Sequence, residues 1–238
     1  MKVSGHRLAA EEAKNGLLVF WKVIITCRAV LFDLDGVLVD STPAVSRVWG
    51  RWAQSHGLDP GRVIATAHGR RSIETIRMVA PQLDAEIENL TVERLEIAEK
   101  EGVTALSGSA ALLHALPSER FAIVTSATRA LALARLGYAG LHAPSRLITA
   151  DDVLHGKPSP EPYLKGAALF RAAPADCLVF EDTPAGIQAA RSAGMKVVAL
   201  LTTYPAQQLA QADALVVSLA EVKVEFDGRL LRFKIAHS

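Results

Sequence analysis

The stretch Ala-Val-Leu-Phe-Asp-Leu-Asp-Gly-Val-Leu-Val-Asp-Ser, residues 29–41, decides the fold of this chain. Its first four residues are uninterrupted apolar side chains, which is typical of a parallel strand that is covered on both faces. Two carboxylates, Asp33 and Asp35, follow where such a strand ends. In an open parallel sheet, ligands bind outside the carboxyl ends of the strands. The stretch therefore predicts a central strand that brings two carboxylates to a binding site.

Similar apolar runs recur along the chain and alternate with helical patterns. They lie at residues 121–124, 177–180 and 197–201, with weaker runs at 146–148 and 214–217. Thr183 followed by Pro184 is a typical helix start, and Gly194 is well placed to end that helix. Ser159 and Pro160 repeat the same device. This alternation predicts an α/β fold with a doubly wound parallel sheet.

Residues 42–106, which we call the helical insert, break the alternation. One amphipathic helix is indicated by apolar residues at helical spacing: Val45, Val48, Trp49, Trp52 and Ala53. A second is indicated by Ile87, Leu90, Leu95 and Ala98, and no convincing strand lies in the interval. We therefore expect a core domain formed by residues 28–41 and 107–238, interrupted by a helical cap domain over 42–106. Near the end of the chain, Asp227-Gly228 indicates a hairpin turn between 222–226 and 230–233.

The bulk properties exclude some partners and fit one compartment. The chain has 238 residues and a formal net charge of +1, which gives no reason to expect binding to nucleic acid or to an anionic membrane. Its two cysteines, Cys27 and Cys177, form neither a disulfide framework nor a metal-ligand spacing. We expect a cytoplasmic protein that is a monomer, with a weak dimer as the alternative.

Residues 1–27 precede the globular pattern. Residues 17–27 are apolar except for Lys22, and this run is too short to span a bilayer. Acidic residues precede it and no small-residue cleavage site follows, which disfavours a signal peptide. We expect a non-functional N-terminal extension, with an extra strand or helix packed on the domain as the second interpretation and export as the third.

Four side chains fall at the ends of three predicted strands and should therefore meet: Asp33, Thr125, and Glu181 with Asp182. We predict that Asp33 attacks phosphorus and forms an aspartyl-phosphate. Asp35, two residues further on, would protonate the leaving group and then deprotonate the water that hydrolyses the intermediate. The alternative is that Asp33-Leu34-Asp35-Gly36 is only a turn after a strand.

Carboxylates that converge on a phosphate require a cation between them. Mg²⁺ suits a partly hydrated site built from oxygen ligands. The predicted ligands are Asp33 and Asp182, supported by the backbone carbonyl of Asp35 and by Glu181. Glu181 and Asp182 also suit the start of the helix near Pro184, because acidic residues stabilise that end.

Two further positions complete the predicted site. Lys157, in a Gly-Lys-Pro sequence, offers a positive charge to the phosphoryl group and to Asp33. Thr125 and the following Ser126 offer hydroxyl and backbone N–H groups to phosphate oxygens at a helix N-terminus. The alternatives are an ordinary surface lysine in a turn and an ordinary helix N-cap.

Taken together, Asp33 with Asp35, Thr125, Lys157, and Glu181 with Asp182 resemble the four motifs of the haloacid dehalogenase superfamily, in order. The resemblance covers roughly residues 28–217. It implies a Rossmann-like core, Mg²⁺ as cofactor, an aspartyl-phosphate intermediate and a C1 cap, the class of helical insert that closes over the substrate.

Within that superfamily, the chain is most similar to phosphatases of small sugar, polyol and glycerol phosphates. Residues 40–45 and 68–72 carry this closer resemblance. It implies a small phosphorylated metabolite as substrate, with Arg70 and Arg71 directing positive charge to the mouth of the site. The alternative is that both arginines lie at a solvated helix start.

Three other functions fit the sequence less well. A β-phosphoglucomutase shares the cap type and motifs, but it carries a histidine where this chain has Val45 and a cap arginine that aligns nearer Ser72 than Arg71. A dehalogenase is disfavoured by Asp35 and the acidic fourth motif. A catalytically silent binding or regulatory module is disfavoured because no motif residue is missing.

Overall fold

The structure, a computed structural model, describes residues 9–12 and 18–236. Its strands are β1 (Ala9–Glu12), β2 (Leu18–Cys27), β3 (Ala29–Phe32), β4 (Val39–Asp40), β5 (Thr104–Ala105), β6 (Phe121–Val124), β7 (Leu147–Ile148), β8 (Cys177–Glu181), β9 (Lys196–Leu200), β10 (Ala214–Val216), β11 (Val222–Phe226) and β12 (Leu231–Ala236). Its α-helices are α1 (Thr42–Ser55), α2 (Pro60–Ala67), α3 (Ser72–Val79), α4 (Ala85–Ala98), α5 (Ser109–Ala115), α6 (Arg129–Tyr138), α7 (Glu161–Ala168) and α8 (Pro184–Ser192).

A six-stranded parallel sheet forms the centre of the molecule, in the order β10-β9-β8-β3-β6-β7. The strand β3 lies inside the sheet, hydrogen-bonded to β8 on one side and to β6 on the other. All four of its residues are buried, as the apolar run predicts. Helices cover both faces, so the predicted α/β fold with a doubly wound sheet is confirmed.

The two faces of the sheet belong to separate apolar cores. Phe32 packs in one core together with Leu131 and Leu136 of α6. Leu31, which points to the opposite face, packs in a second core with Tyr163 of α7 and Ile187 of α8. Each such side chain contributes about 1.5–3 kcal/mol by leaving water. Helices on both sides therefore hold β3 in place, and with it the carboxylates that follow.

Most element boundaries lie close to those expected from the sequence. Thr183 caps α8 by accepting a hydrogen bond from the Gly186 N–H, and Gly194 follows that helix with a φ of 80°. The helix predicted to start at Pro160 starts at Glu161, and Pro160 occupies the N-cap position. The predicted hairpin is present as β11 and β12, with the Asp227 carboxylate accepting hydrogen bonds from backbone N–H groups of the turn.

The helical insert contains α1 to α4 and has an apolar core of its own, which includes Val48, Trp49 and Trp52 as the spacing predicts. The chain leaves and re-enters the sheet domain through a short antiparallel pair, β4 with β5. The strand β5, Thr104–Ala105, was not expected, because two residues are too short for a periodic pattern.

The apolar face predicted for α4 is wrong. Ile87 is 61% exposed and Leu90 is 54% exposed, whereas the buried side chains of this helix are Val92 and Glu96. A buried glutamate replaces an apolar residue on the inner face, because Glu96 has a charged partner in the core domain. This partner could not be foreseen from the pattern of α4 alone.

A second sheet, antiparallel and in the order β1-β2-β12-β11, packs beside the first. The strand β2 pairs with β12 over residues 21–27, and Ile25, Cys27 and Phe233 are buried in the same core as Phe32. Residues 18–27 therefore form an extra strand packed on the domain, which was the second interpretation of the N-terminal segment. Residues 1–8 and 13–17 lie outside the described part of the chain.

Across the described residues, no helix is both long enough and apolar enough to cross a membrane.

Candidate active site

The site lies where three neighbouring strands of the parallel sheet end. Asp33 follows β3, Thr125 follows β6, and Glu181 is the last residue of β8. Because β3 lies between β6 and β8, these residues share one edge of the sheet. Carboxylate oxygens of Asp33, Glu181 and Asp182 lie within 4.8 Å of one another. The sheet topology therefore brings together the residues that the sequence analysis placed at strand ends.

Lys157 connects the two motif carboxylates. Its Nζ lies 2.7 Å from Asp33 Oδ1 and 2.7 Å from Glu181 Oε1, and 3.3 Å from the Val124 carbonyl oxygen. Burial opposes its charge, but Asp33 and Glu181 raise the pKa of Lys157 above its usual value. The lysine is therefore a buried cation and not a surface side chain. We call Asp33, Lys157 and Glu181 the strand-end cluster.

Glu181 accepts hydrogen bonds from several groups around this cluster. Its Oε1 also accepts from the Tyr163 hydroxyl, and its Oε2 accepts from the backbone N–H groups of Asp182 and Thr183. Burial alone would raise the pKa of Glu181, but Lys157 and these donors hold it below the usual value. Both oxygens already have at least two donors, so Glu181 orients its neighbours more than it offers a ligand atom.

Asp182, in contrast to Glu181, is not fully hydrogen-bonded. Its Oδ2 accepts a hydrogen bond from Thr203, but its Oδ1 is buried and has no hydrogen-bond partner in the described structure. Burial raises the pKa of Asp182 well above the usual value, and the charges of Glu181 and Asp33 raise it further. An unpaired carboxylate oxygen of this kind is costly unless a cation compensates it.

Asp33 shares this need for positive charge. Burial raises its pKa to about 7, although Lys157 acts in the opposite direction. Gly36 gives Asp182 room, because a β-carbon there would overlap Asp182 Oδ2, and its φ of 75° suits glycine. These residues fit a hard divalent cation held by Asp33 and Asp182. The site offers carboxylate oxygens as ligands, Asp182 Oδ1 has no hydrogen-bond partner, and the pKa values of both carboxyl groups are raised.

Asp35 lies beside Asp33 but belongs to a different network. Its Oδ1 accepts a hydrogen bond from Ser41 at 2.7 Å, and its Oδ2 accepts one from Arg135 Nη1 at 2.5 Å. The other end of the Arg135 guanidinium donates to Glu96 of the helical insert at 2.9 Å. We call Asp35, Arg135 and Glu96 the boundary cluster, because it joins the sheet domain to the insert.

Sequence analysis did not identify Arg135 or Glu96, although each carries a usable signal. On α6 the buried face consists of Leu131, Ala132, Arg135 and Leu136. On α4, Val92 and Glu96 are one helical turn apart and both are buried. A charged residue on the inner face of a helix needs a partner, so opposite charges on two such faces indicate contact.

The remaining predicted residues surround a cleft between the sheet domain and the insert. Thr125 accepts a hydrogen bond from the Ala127 N–H through its hydroxyl, and Ser126 donates to the Gly69 carbonyl oxygen of the insert. The cleft is lined by Asp33, Asp35, Thr125, Ser126 and Asp182 from the sheet domain, and by Val45, Trp49, His68, Arg70, Ser72 and Glu96. Arg70 thus faces the cleft that contains the carboxylates.

Arg71 does not line this cleft. Its guanidinium pairs with Glu74 at 2.7 Å through Nε and donates to the carbonyl oxygens of Val153 and Leu154. The side chain therefore ties the start of α3 to the loop before Lys157. Adjacent arginines at a helix start point in different directions, which one sequence cannot resolve.

Comparison with known proteins agrees with this geometry. The family model of haloacid dehalogenase-like hydrolases matches residues 27–194. The chain belongs to this family. That match confirms the superfamily resemblance indicated by the four motifs, and it covers the sheet-end residues and the insert.

Two curated relatives and one solved structure illustrate the likeness. The chain is 43% identical over 203 residues to hexitol phosphatase A of Escherichia coli (strain K12), which covers 83% of this chain and 94% of that protein. It is 36% identical over 190 residues to glycerol-1-phosphate phosphohydrolase 2 of Saccharomyces cerevisiae, covering 74% and 76%. The β-phosphoglucomutase of Clostridium difficile has a TM-score of 0.74 at 22% identity, covering 83% and 93%, which is a likeness of fold.

Proposed function

We propose that this haloacid dehalogenase-like hydrolase is a Mg²⁺-dependent phosphatase of small polyol or sugar phosphate monoesters. The observation that carries the proposal is the convergence of Asp33, Lys157 and Asp182, where a buried lysine and an unpaired carboxylate oxygen lie beside the predicted nucleophile. The two relatives, a hexitol phosphatase and a glycerol-1-phosphate phosphohydrolase by name, support this substrate class.

In this mechanism Asp33 attacks the phosphorus of the bound ester. Lys157 orients Asp33 through its 2.7 Å contact and offsets the repulsion between the carboxylate and the phosphate. Thr125 and Ser126 would hold phosphate oxygens at the end of β6. Asp33 and Asp182 would hold Mg²⁺, whose charge would offset that of the phosphoryl group.

Asp35 would move the protons. It donates one to the departing alcohol and then removes one from the water that hydrolyses the aspartyl-phosphate on Asp33. The alcohol would lie towards the insert, where His68, Arg70 and Ser72 line the cleft. Polar side chains at this wall suit a polyhydroxy leaving group better than an apolar one.

The proposal extends to the state of the enzyme in the cell. Cys27 and Cys177 are both free and buried, and burial raises the pKa of Cys27 to about 12 and that of Cys177 to about 11. Unreactive thiols of this kind fit a protein that works in the cytoplasm. We propose that it works there as a monomer, which size-exclusion chromatography with light scattering tests.

The test of function is phosphate release from a panel of hexitol, glycerol, hexose and glycolate phosphates, with Mg²⁺ and with a chelator. We expect Mg²⁺-dependent release that favours one polyol or sugar phosphate. Glucose 1-phosphate with a glucose 1,6-bisphosphate primer reports mutase turnover in parallel. Isomerisation without phosphate release, or no turnover of any ester, would overturn the proposal.

A further inference from the structure

Arg135 is a buried cation to which the proposed mechanism assigns no task. It lies on α6 in the sheet domain, with a side chain that is 8% exposed, and it lines the cleft. Its Nη1 contacts Asp35 and its Nη2 contacts Glu96, so both ends of the guanidinium are engaged by carboxylates. A charge this deeply buried is retained only where its partners stay in place.

The contact with Arg135 fixes the orientation of the Asp35 carboxyl group. One carboxyl oxygen is held by Ser41, which directly precedes α1, and the other is held by Arg135 from α6. Two donors from different elements leave this short side chain little freedom to rotate. Proton transfer depends steeply on such orientation, because a misplacement of 1 Å can cost about 10²-fold in rate.

The contact with Glu96 makes this orientation depend on the helical insert. Glu96 lies on α4 and is buried against the sheet domain, where its only charged partner among the described ion pairs is Arg135. If the insert moved away from the sheet domain, Arg135 would lose this carboxylate and keep only Asp35. The guanidinium therefore contacts both Asp35 and Glu96 only while the insert packs on the cleft.

We propose that Arg135 is a positioning residue that holds Asp35 in the orientation for proton transfer, and that Glu96 couples this orientation to closure of the insert. The inference rests on the proposed phosphatase function, because it concerns protonation of the leaving group. Arg135 acts through Asp35 and needs no contact with the substrate.

The test compares two aryl phosphates of similar shape. Phenolate is a poor leaving group that needs a proton donor, whereas p-nitrophenolate leaves without one. Because kcat/KM covers the steps up to departure of the leaving group, its ratio for the two esters reports proton donation separately from later hydrolysis. For Arg135→Met we expect kcat/KM to fall about 10²-fold for phenyl phosphate and less than about threefold for p-nitrophenyl phosphate.

Arg135→Lys shows whether the effect of Arg135→Met comes from unfolding. It keeps the buried positive charge but cannot contact both carboxylates with the geometry of a guanidinium. It should shift the ratio in the same direction by a smaller factor. Arg129→Met is the matched control, since Arg129 lies on the same helix and pairs with Asp152 at the surface. The control should leave the ratio unchanged. Equal losses for both esters in the Arg135 variants, or no loss, would overturn the positioning role.

The coupling to the insert is tested by Glu96→Gln. Alone, it should lower kcat/KM for phenyl phosphate more than for p-nitrophenyl phosphate. Combined with Arg135→Met it should add nothing, because Glu96 acts through Arg135. A double variant that loses the product of both factors would overturn the coupling. Wild-type hydrolysis of both esters, measured first, shows separately whether the proposed function holds.

Discussion

The strand-end cluster and the boundary cluster have the same composition but different settings. In each, one buried cation bridges two carboxylates, and one of those carboxylates comes from residues 33–35. The strand-end cluster lies entirely within the sheet domain, where Asp33 and Glu181 come from the neighbouring strands β3 and β8 and Lys157 comes from the loop before α7. The boundary cluster spans the sheet domain and the helical insert, so it depends on how two layers pack.

This difference would suit the two clusters to different tasks in the proposed mechanism. A cluster held within one domain would suit the proposed nucleophile Asp33, which must not move. A cluster that spans two layers would suit the proposed proton donor Asp35, whose environment would change if the insert opened to admit substrate. The same chemical device therefore serves rigidity in one place and adaptation in the other.

The largest expected effect comes from breaking the strand-end cluster with Lys157→Met. Removing the cation leaves the buried carboxylates of Asp33 and Glu181 unpaired, which typically costs about 3–5 kcal/mol of unfolding free energy. We also expect phosphatase activity to be lost. Urea denaturation measures the stability change, and a midpoint equal to that of the wild type would contradict the assignment.

Lys165→Met is the matched control for that experiment. Lys165 pairs with Glu161 one helical turn away, but its side chain is 45% exposed. Exposed ion pairs contribute about 0–1 kcal/mol. Lys157→Met should therefore lower the unfolding free energy several times more than Lys165→Met does.

The next effect comes from Asp35→Asn in the boundary cluster. We expect kcat for a polyol phosphate to fall about 10²–10⁴-fold, because proton transfer is lost. Arg135 keeps Glu96 as a partner, so the unfolding free energy should change less than in Lys157→Met. Steady-state kinetics and urea denaturation of the same preparation check both statements. A rate equal to that of the wild type would remove Asp35 from the mechanism.

A smaller effect is expected from truncating the N-terminus. Deleting residues 1–27 removes β2 and with it the buried Ile25, which alone accounts for about 1.5–3 kcal/mol. The loss should lower the melting temperature and weaken the strand-end cluster through Phe233, which packs on Phe180 at 5.5 Å between ring centroids. Deleting residues 1–17 is the matched control. Equal melting temperatures for the two truncations would show that β2 does not stabilise the fold.

The smallest effect is the pH dependence of the metal-free protein. The pKa values of Asp33, about 7, and of Asp182 are raised by burial, so the native state binds more protons than the unfolded state between about pH 4 and 7. Stability should therefore fall as pH rises through this window. Added Mg²⁺ should raise the melting temperature more at about pH 8 than at about pH 5.5. Asp33→Asn should weaken the pH dependence, and an unchanged slope would contradict this origin.

The same comparison explains what could be predicted from the sequence. Asp33, Glu181 and Asp182 are recognisable because each occupies a fixed place in a short motif at the end of an apolar strand, and Lys157 is recognisable from its Gly-Lys-Pro motif. Arg135 is one charge among the apolar residues of α6, and its meaning appears only when α4 is packed opposite. Contacts between layers depend on side-chain packing, so a lone charge on the inner face of a helix indicates a buried ion pair but does not identify its partner.

Two other differences have the same physical cause. Ile87 and Leu90 follow helical spacing in the sequence but are exposed in the structure, and the buried face of α4 contains Glu96. The strand β2 has an apolar sequence that fits several environments, and its partner β12 lies about two hundred residues away along the chain. Local patterns predict which elements form, but long-range pairing decides what they contact.

The most direct test of the central claim is a search for phosphate on Asp33. The enzyme is mixed with Mg²⁺ and a polyol phosphate labelled in its phosphoryl group, quenched in acid within one turnover, and digested for peptide mapping. We predict label on the peptide that contains Asp33, more label in Asp35→Asn with a reactive aryl phosphate, and none in Asp33→Asn. Phosphate release that continues in Asp33→Asn, with no labelled peptide in the wild type, would contradict the account.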